Sequence, residues 1–240
     1  MINTFRSQLN EINSGISRPE NVNQTTVKKL GVLGSGLMGH GITFVSALSD
    51  IEVVMTDSTQ ENAERGLSRI KDILHNMVKE GQTTQKNAEK ILNNIKVTDD
   101  YNNLRDCDLV IEAVFEDRDL KGKVTAQAEN IMDRNGTFAS NTSTLPISGL
   151  AEKSVRPDKF IGIHFFSPVH KMKLVEIIKG EKTNEETIAK AFDYVLKIKK
   201  TPIVVNDSRG FYTSRVFSTY TNEGLSLLAE GNHPQEIETA

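Results

Sequence analysis

The sequence predicts an open, doubly wound α/β sheet that ends in an antiparallel hairpin and is followed by a short all-helical stretch. Three observations carry that prediction. Apolar runs of strand length alternate with stretches of helical periodicity, the pattern of repeated strand-helix-strand units. The first of these strands passes into a helix through Gly34, Gly36 and Gly39, at G-x-G-x-x-G spacing. Two late apolar strands are joined by only a short loop, which suits a hairpin, whereas a parallel crossover needs a dozen residues or more.

Composition narrows the partners. The 240 residues are 37% hydrophobic, enough for one large α/β domain or two smaller ones. A net charge of −3 provides no global basic field, so neither nucleic acid nor an anionic membrane surface is expected as a partner. The single cysteine, Cys107, has no internal disulfide mate and reads as a small buried hydrophobe. No apolar run reaches 18 residues, and Met1 to Asn10 lacks a signal-peptide core, so a cytoplasmic protein without a membrane span is expected.

Residues 1–26 are polar and linker-like, although Phe5, Leu9, Ile12 and Ile16 recur at helical spacing. A short amphipathic helix there either packs back on the following domain or faces a partner domain. Residues 27–206 form the main domain, which opens with the strand ending at Leu33 and the glycine turn. In a Rossmann-type unit the first glycine allows the tight turn, the second the approach of a pyrophosphate, and the third close helix-to-strand packing. The helix amides then face the phosphates. Taken alone, the same glycines also suit a plain strand-to-helix turn. Asp57 ends the second strand, Ile51–Thr56, and lies 18 residues past Gly39. An acid there accepts hydrogen bonds from the adenosine ribose and repels a 2′-phosphate, which favours NAD over NADP.

From Thr59 to Leu92 the pattern is a helical pair, long for a crossover, with Arg65, Arg69, Lys71 and Lys79 either meeting phosphates or forming a solvated basic face. Strands follow around Val97 and over Asp108–Phe115, then a helix from about Leu120 to Met132 and a strand at Thr137–Ala139. Glu116, Lys121 and Ser143 fall beyond strand ends, where an open sheet keeps its ligand crevice. Each also has a plain structural use: Glu116 as a helix-start acid, Lys121 as a surface charge, Ser143 as a helix cap. The strands Phe160–Phe166 and Lys173–Ile178, paired as a hairpin centred on His170, place Glu176 opposite His164. Such a pair is either a satisfied core histidine or a base with its orienting carboxylate. A helix over Asn184–Lys199 and a strand over Thr201–Val205 complete the domain, and residues 207–240 read as the beginning of a truncated helical domain.

The ordered segments Leu33–Gly39, Val110–Asp117, Ser140–Ser143, Gly162–Val169 with Met172–Glu176, and Gly210–Tyr212 resemble the L-3-hydroxyacyl-CoA dehydrogenase family over about residues 27–235. The resemblance is closest to the dehydrogenase portion of multifunctional fatty-acid β-oxidation enzymes, and Gly15–Pro19 looks like their linker between hydratase and dehydrogenase. It implies that His164 is the catalytic base and Glu176 its partner, and that Ser143 meets both the substrate and the nicotinamide. It further implies Glu116 and Lys121 at the nicotinamide ribose, Asp57 at the adenosine ribose, and Leu37 and Met38 in the pyrophosphate turn with Gly34, Gly36 and Gly39. Val114 and Ser167 would also touch the cofactor, and Ser214 the substrate. Ser167 and Ser214 stand where many relatives have asparagine, and their reach is shorter. The implied reaction is NAD-dependent oxidation of a 3-hydroxyacyl-CoA thioester to the 3-ketoacyl thioester. The implied partners are a hydratase module or helical domain of a larger enzyme and further copies of the same chain. Two other readings stay open at this point: an NAD-binding module without useful catalysis, and a β-hydroxyacid dehydrogenase, which would leave the His-Phe-Phe segment and Glu176 unexplained.

Overall fold

The computed structural model describes residues 2–239, apart from the side chains of residues 2–5 and 13. Its centre is an eight-stranded sheet in the order β3-β2-β1-β4-β5-β6-β7-β8, formed by β1 (Lys29–Leu33), β2 (Glu52–Thr56), β3 (Ile95–Thr98), β4 (Leu109–Glu112), β5 (Thr137–Ser140), β6 (Phe160–Phe165), β7 (Leu174–Lys179) and β8 (Thr201–Asn206). The first six run parallel; β7 turns back antiparallel to β6, and β8 is parallel to β7. Because strand order reverses direction at β1, the carboxyl ends of β1 and β4 flank an open crevice.

Side-chain alternation builds a core on each face of the sheet. Leu30 and Val32 of β1, with Leu109 and Ile111 of β4, pack toward α2 (Leu37–Ala47), α3 (Gln60–Lys79) and α7 (Glu185–Lys197). Leu33, Val110 and Phe138 face the other way, toward α5 (Arg118–Glu129) and α6 (Ile147–Ala151). Covering both faces accounts for strands that read as continuous apolar runs. Cys107 lies in the second core, where burial pushes its thiol up to about 12.

The helical pair expected after Asp57 is α3 and α4 (Gln85–Asn93), each begun by a threonine whose hydroxyl accepts a backbone amide: Thr59 from Asn62 and Thr84 from Asn87, both at 3.2 Å. Helix α5 starts two residues earlier than apolar periodicity indicates and ends at Glu129 rather than Met132. The Asp117 carboxylate, accepting the Leu120 amide at 2.7 Å, caps it there and lets Arg118 and Asp119 into its first turn.

The amino-terminal stretch forms α1 (Ile2–Asn13), which lies against β8. Of its expected apolar stripe, Leu9 and Ile12 are half-buried, Ile16 is exposed beyond the helix, and the Phe5 side chain lies outside the described residues. The Arg18 guanidinium holds Asp193 of α7 at 2.7 and 3.0 Å, and Asp193 also accepts the Thr25 amide at 2.9 Å. This fastens the segment to the domain. At the other end are α8 (Tyr212–Ala229) and α9 (Pro234–Thr239). Among the described residues α8 has no buried side chain, and Phe217, Tyr220 and Leu225 face solvent. No helix among the described residues is long and apolar enough to cross a membrane.

Candidate active site

The glycine turn sits at the carboxyl end of β1 and its geometry demands glycine at two points. Gly34 has φ +93°, and a Cβ there would lie 2.8 Å from the Ala113 carbonyl oxygen. A Cβ at Gly39 would come within 1.7 Å of the Gly34 carbonyl, so α2 can approach β1 this closely only through glycine. Gly36 opens on free space, and α2 begins at Leu37 with no side-chain cap on its first amides. Leu37 is exposed and Met38 half-buried on that first turn. An uncapped helix start over open space suits a pyrophosphate.

A cleft of about 960 Å³ runs along this turn, lined by Gly34, Gly36, Asp57, Tyr101 and Val114 among others. Asp57 accepts the Ser35 amide and hydroxyl, each at 2.7 Å, and the Ser58 amide at 2.7 Å. Burial works to raise its carboxyl, but these donors hold it below the usual carboxylate range. Asp57 is therefore an anion that braces the glycine turn as well as lining the cleft. Of the four basic residues noted in the helical pair, Arg69 reaches toward the turn, 3.5 Å from the Ser35 carbonyl; Arg65 lies on the Asn62 side chain.

Glu116, Lys121 and Ser143 meet in one network, and it includes residues that apolar patterning does not single out. Lys121 is 2% exposed. Its ammonium donates to both Glu112 oxygens at 3.0 and 2.9 Å and lies 3.2 Å from Glu116. Glu112, buried at the end of β4, also accepts from Ser140 and from the Val114 amide. Burial pushes its carboxyl up, against the pull of Lys121 and Ser140. Glu116 accepts the Thr142 hydroxyl and, at 3.0 Å, the Ser143 amide, and so fixes the turn that carries Ser143. Burial acts to raise Glu116, and Thr142 and Lys121 outweigh it. The signal in the sequence was an acid in the apolar run Leu109-Val110-Ile111-Glu112: a charge placed in a buried strand needs a partner.

His164 and Glu176 stand opposite each other in the β6–β7 register. His164 Nδ1 is 2.8 Å from Glu176 Oε2, with His164 7% exposed and Glu176 fully buried. A carboxylate only accepts, so Nδ1 carries the proton and Nε2 is left as the acceptor. The imidazole packs against Phe166 and Phe211, with ring centroids 4.5 and 6.0 Å away. Glu176 also takes the Thr213 amide at 2.8 Å and the Thr213 hydroxyl at 2.7 Å. Burial alone would raise Glu176, but His164 and Thr213 hold it low. Asn141 accepts the Phe165 amide at 2.9 Å, which ties the Ser143 turn to the strand bearing His164. Ser167 is exposed in the loop after β6, and Ser214 is half-buried beside Thr213 on α8.

Residues 29–208 match the NAD-binding domain of 3-hydroxyacyl-CoA dehydrogenase. The fatty acid oxidation complex subunit alpha of Idiomarina loihiensis is 43% identical over 205 residues, which span 85% of this chain and 29% of that one. The (S)-3-hydroxybutyryl-CoA dehydrogenase of Ralstonia eutropha superposes with a TM-score of 0.86 at 36% identity, over 88% of this chain and 75% of its own. The dehydrogenase part of multifunctional enzyme 1 from C. elegans gives 0.76 at 27% identity, over 96% of this chain and 56% of its own. With a glycine turn, an uncapped helix start and Asp57 on one cleft, the residues fit NAD, and the chain belongs to the 3-hydroxyacyl-CoA dehydrogenase family, whose NAD-binding domain it carries.

Proposed function

We propose that this protein oxidises 3-hydroxyacyl-CoA thioesters to 3-ketoacyl-CoA thioesters, with NAD as the electron acceptor. The observation that carries the proposal is the buried His164–Glu176 pair, 2.8 Å apart, on the sheet that also bears the glycine turn. NAD bound along Gly34, Gly36, Leu37, Met38, Gly39, Asp57, Val114 and Ser167 would supply the acceptor for the C3 hydrogen together with its two bonding electrons. His164 Nε2 takes the hydroxyl proton, and Glu176 stabilises the imidazolium that results. Ser143, fixed by Glu116, holds the substrate oxygen; Glu116 faces the nicotinamide ribose, with the buried Lys121 ammonium bracing it from behind rather than meeting the ribose itself, and Ser214 faces the thioester. Phe166 and Phe211 keep water from the imidazole.

By its likeness to a subunit of a fatty acid oxidation complex, the proposal extends to β-oxidation in the cytoplasm and to a larger enzyme with a hydratase module, a helical domain and a second copy. Steady-state assay of the protein with NAD and either 3-hydroxybutyryl-CoA or free 3-hydroxybutyrate tests it. Turnover of the thioester with little turnover of the free acid is expected. Equal use of the free acid, or NADH binding without any turnover, would replace it with the hydroxyacid or the binding-module reading.

A further inference from the structure

Helix α8 is held to the sheet at its first turn, and that hold falls on the Glu176 carboxylate. Phe211 is fully buried in the core beside α6, and Gly210, at φ +67°, turns the chain into it. No side chain of residue 211 caps the helix. The cap comes from another element: Glu176 of β7 takes the Thr213 amide on Oε1 and the Thr213 hydroxyl on Oε2. Oε2 is also the oxygen that accepts from His164. One carboxylate thus serves as orienter of the imidazole and as anchor of α8.

The groups around Glu176 leave Thr213 as its main support besides the imidazole. His164 faces it from β6, Ile203 is its neighbour in β8, and the flanking Arg209 and Arg215 are exposed. Against burial, the donors that keep Glu176 charged are His164 and Thr213.

We propose that Thr213 is a positioning residue for the proposed reaction: its amide and hydroxyl fix and charge Glu176, so that the seating of α8 sets how well His164 acts as a base. This rests on the dehydrogenase reading for its catalytic meaning, but its physical content is a contact that can be tested without cofactor or substrate. The Thr213→Val substitution removes the hydroxyl donor and keeps shape and amide; Thr213→Ser keeps the donor.

The experiment is a carboxyl ¹³C NMR titration of Glu176 in the wild-type protein and both variants, paired with the pH profile of kcat/KM. Loss of one hydrogen bond to a carboxylate should raise the acid midpoint by roughly half a unit to one unit in Thr213→Val, and the acid limb of kcat/KM should move the same way. Thr213→Ser should titrate as wild type. A Thr213→Val protein that is folded and titrates as wild type overturns the proposal, as does a Thr213→Ser protein that titrates like Thr213→Val. If Thr213→Val does not fold, Thr213→Ala takes its place in the same comparison. Absence of turnover in every form would count against the dehydrogenase reading, and the titration would still decide this one.

Discussion

His164 reaches its position because β6 is apolar on both sides of it and β7 returns at the register that the short loop allows. This was legible in the sequence: a histidine inside Phe160–Phe166, a turn at His170, and an acid the same distance beyond it. Replacing it tests its role directly, and His164→Gln is expected to lower turnover by on the order of 10² to 10⁴ while NADH affinity, measured by fluorescence titration, is unchanged. Wild-type turnover in that variant would remove His164 from the mechanism. Glu112 had a signal, a charge closing the apolar run Leu109-Val110-Ile111, but not one that names its partner; Thr213 had none, because a lone polar residue at a helix start has no period to betray its contact with Glu176. Lys121 reads either as a residue reaching the ligand crevice or as a surface charge at the start of a helix, and only the fold shows it sealed between two acids. Glu112→Gln leaves that ammonium with only Glu116 opposite it and should cost about 3 kcal/mol in urea unfolding. The double change with Lys121→Met should recover part of the loss, and a single variant as stable as wild type would show that Glu116 alone suffices.

Among the elements, the loop from Ser167 to Lys173 joins β6 to β7, the two strands that carry His164 and Glu176. It is stapled by Lys200, 7% exposed, which donates to the Val169 carbonyl at 2.6 Å and to that of Met172. Burial pulls its ammonium down to about 8. Lys200→Met should destabilise the fold by about 1 to 3 kcal/mol, by stranding two carbonyls. Because the folded value lies below the ordinary 10.5, the unfolded chain holds more protons between these values, and the contribution of Lys200 to stability rises from about pH 8 toward 10.5. Urea midpoints across that range should climb in wild type and less in Lys200→Met; parallel curves would contradict the burial of the ammonium. Helix starts at Thr59, Thr84 and Asn184 follow from their side-chain chemistry. Helix α5 was misplaced because its amphipathic stripe begins after its cap.

Across the whole molecule, a doubly wound sheet brings the ends of β1, β4, β5 and β6 into one row, and the glycine turn, the Glu116 network and the dyad are spaced along it. The alternation of strands with helices and the glycine spacing made that row readable; the hairpin places β7 beside β6, whereas the parallel pairing of β8 with β7 has no counterpart in the sequence pattern. The carboxylates of Asp57, Glu116 and Glu176 all lie below their ordinary values, so their stabilisation is complete above about pH 4.5 and is lost as pH falls through the lowered values. Thermal midpoints should therefore fall steeply below pH 4, and a flat profile to pH 3 would mean that these contacts do not survive in solution. The claim on which the rest depends is that C3 of a hydroxyacyl thioester delivers its hydrogen to bound NAD. Incubating the protein with NAD and 3-hydroxybutyryl-CoA deuterated at C3 tests it: the account predicts deuterium in the reduced nicotinamide ring, and reduced cofactor without label, or none at all, would contradict it.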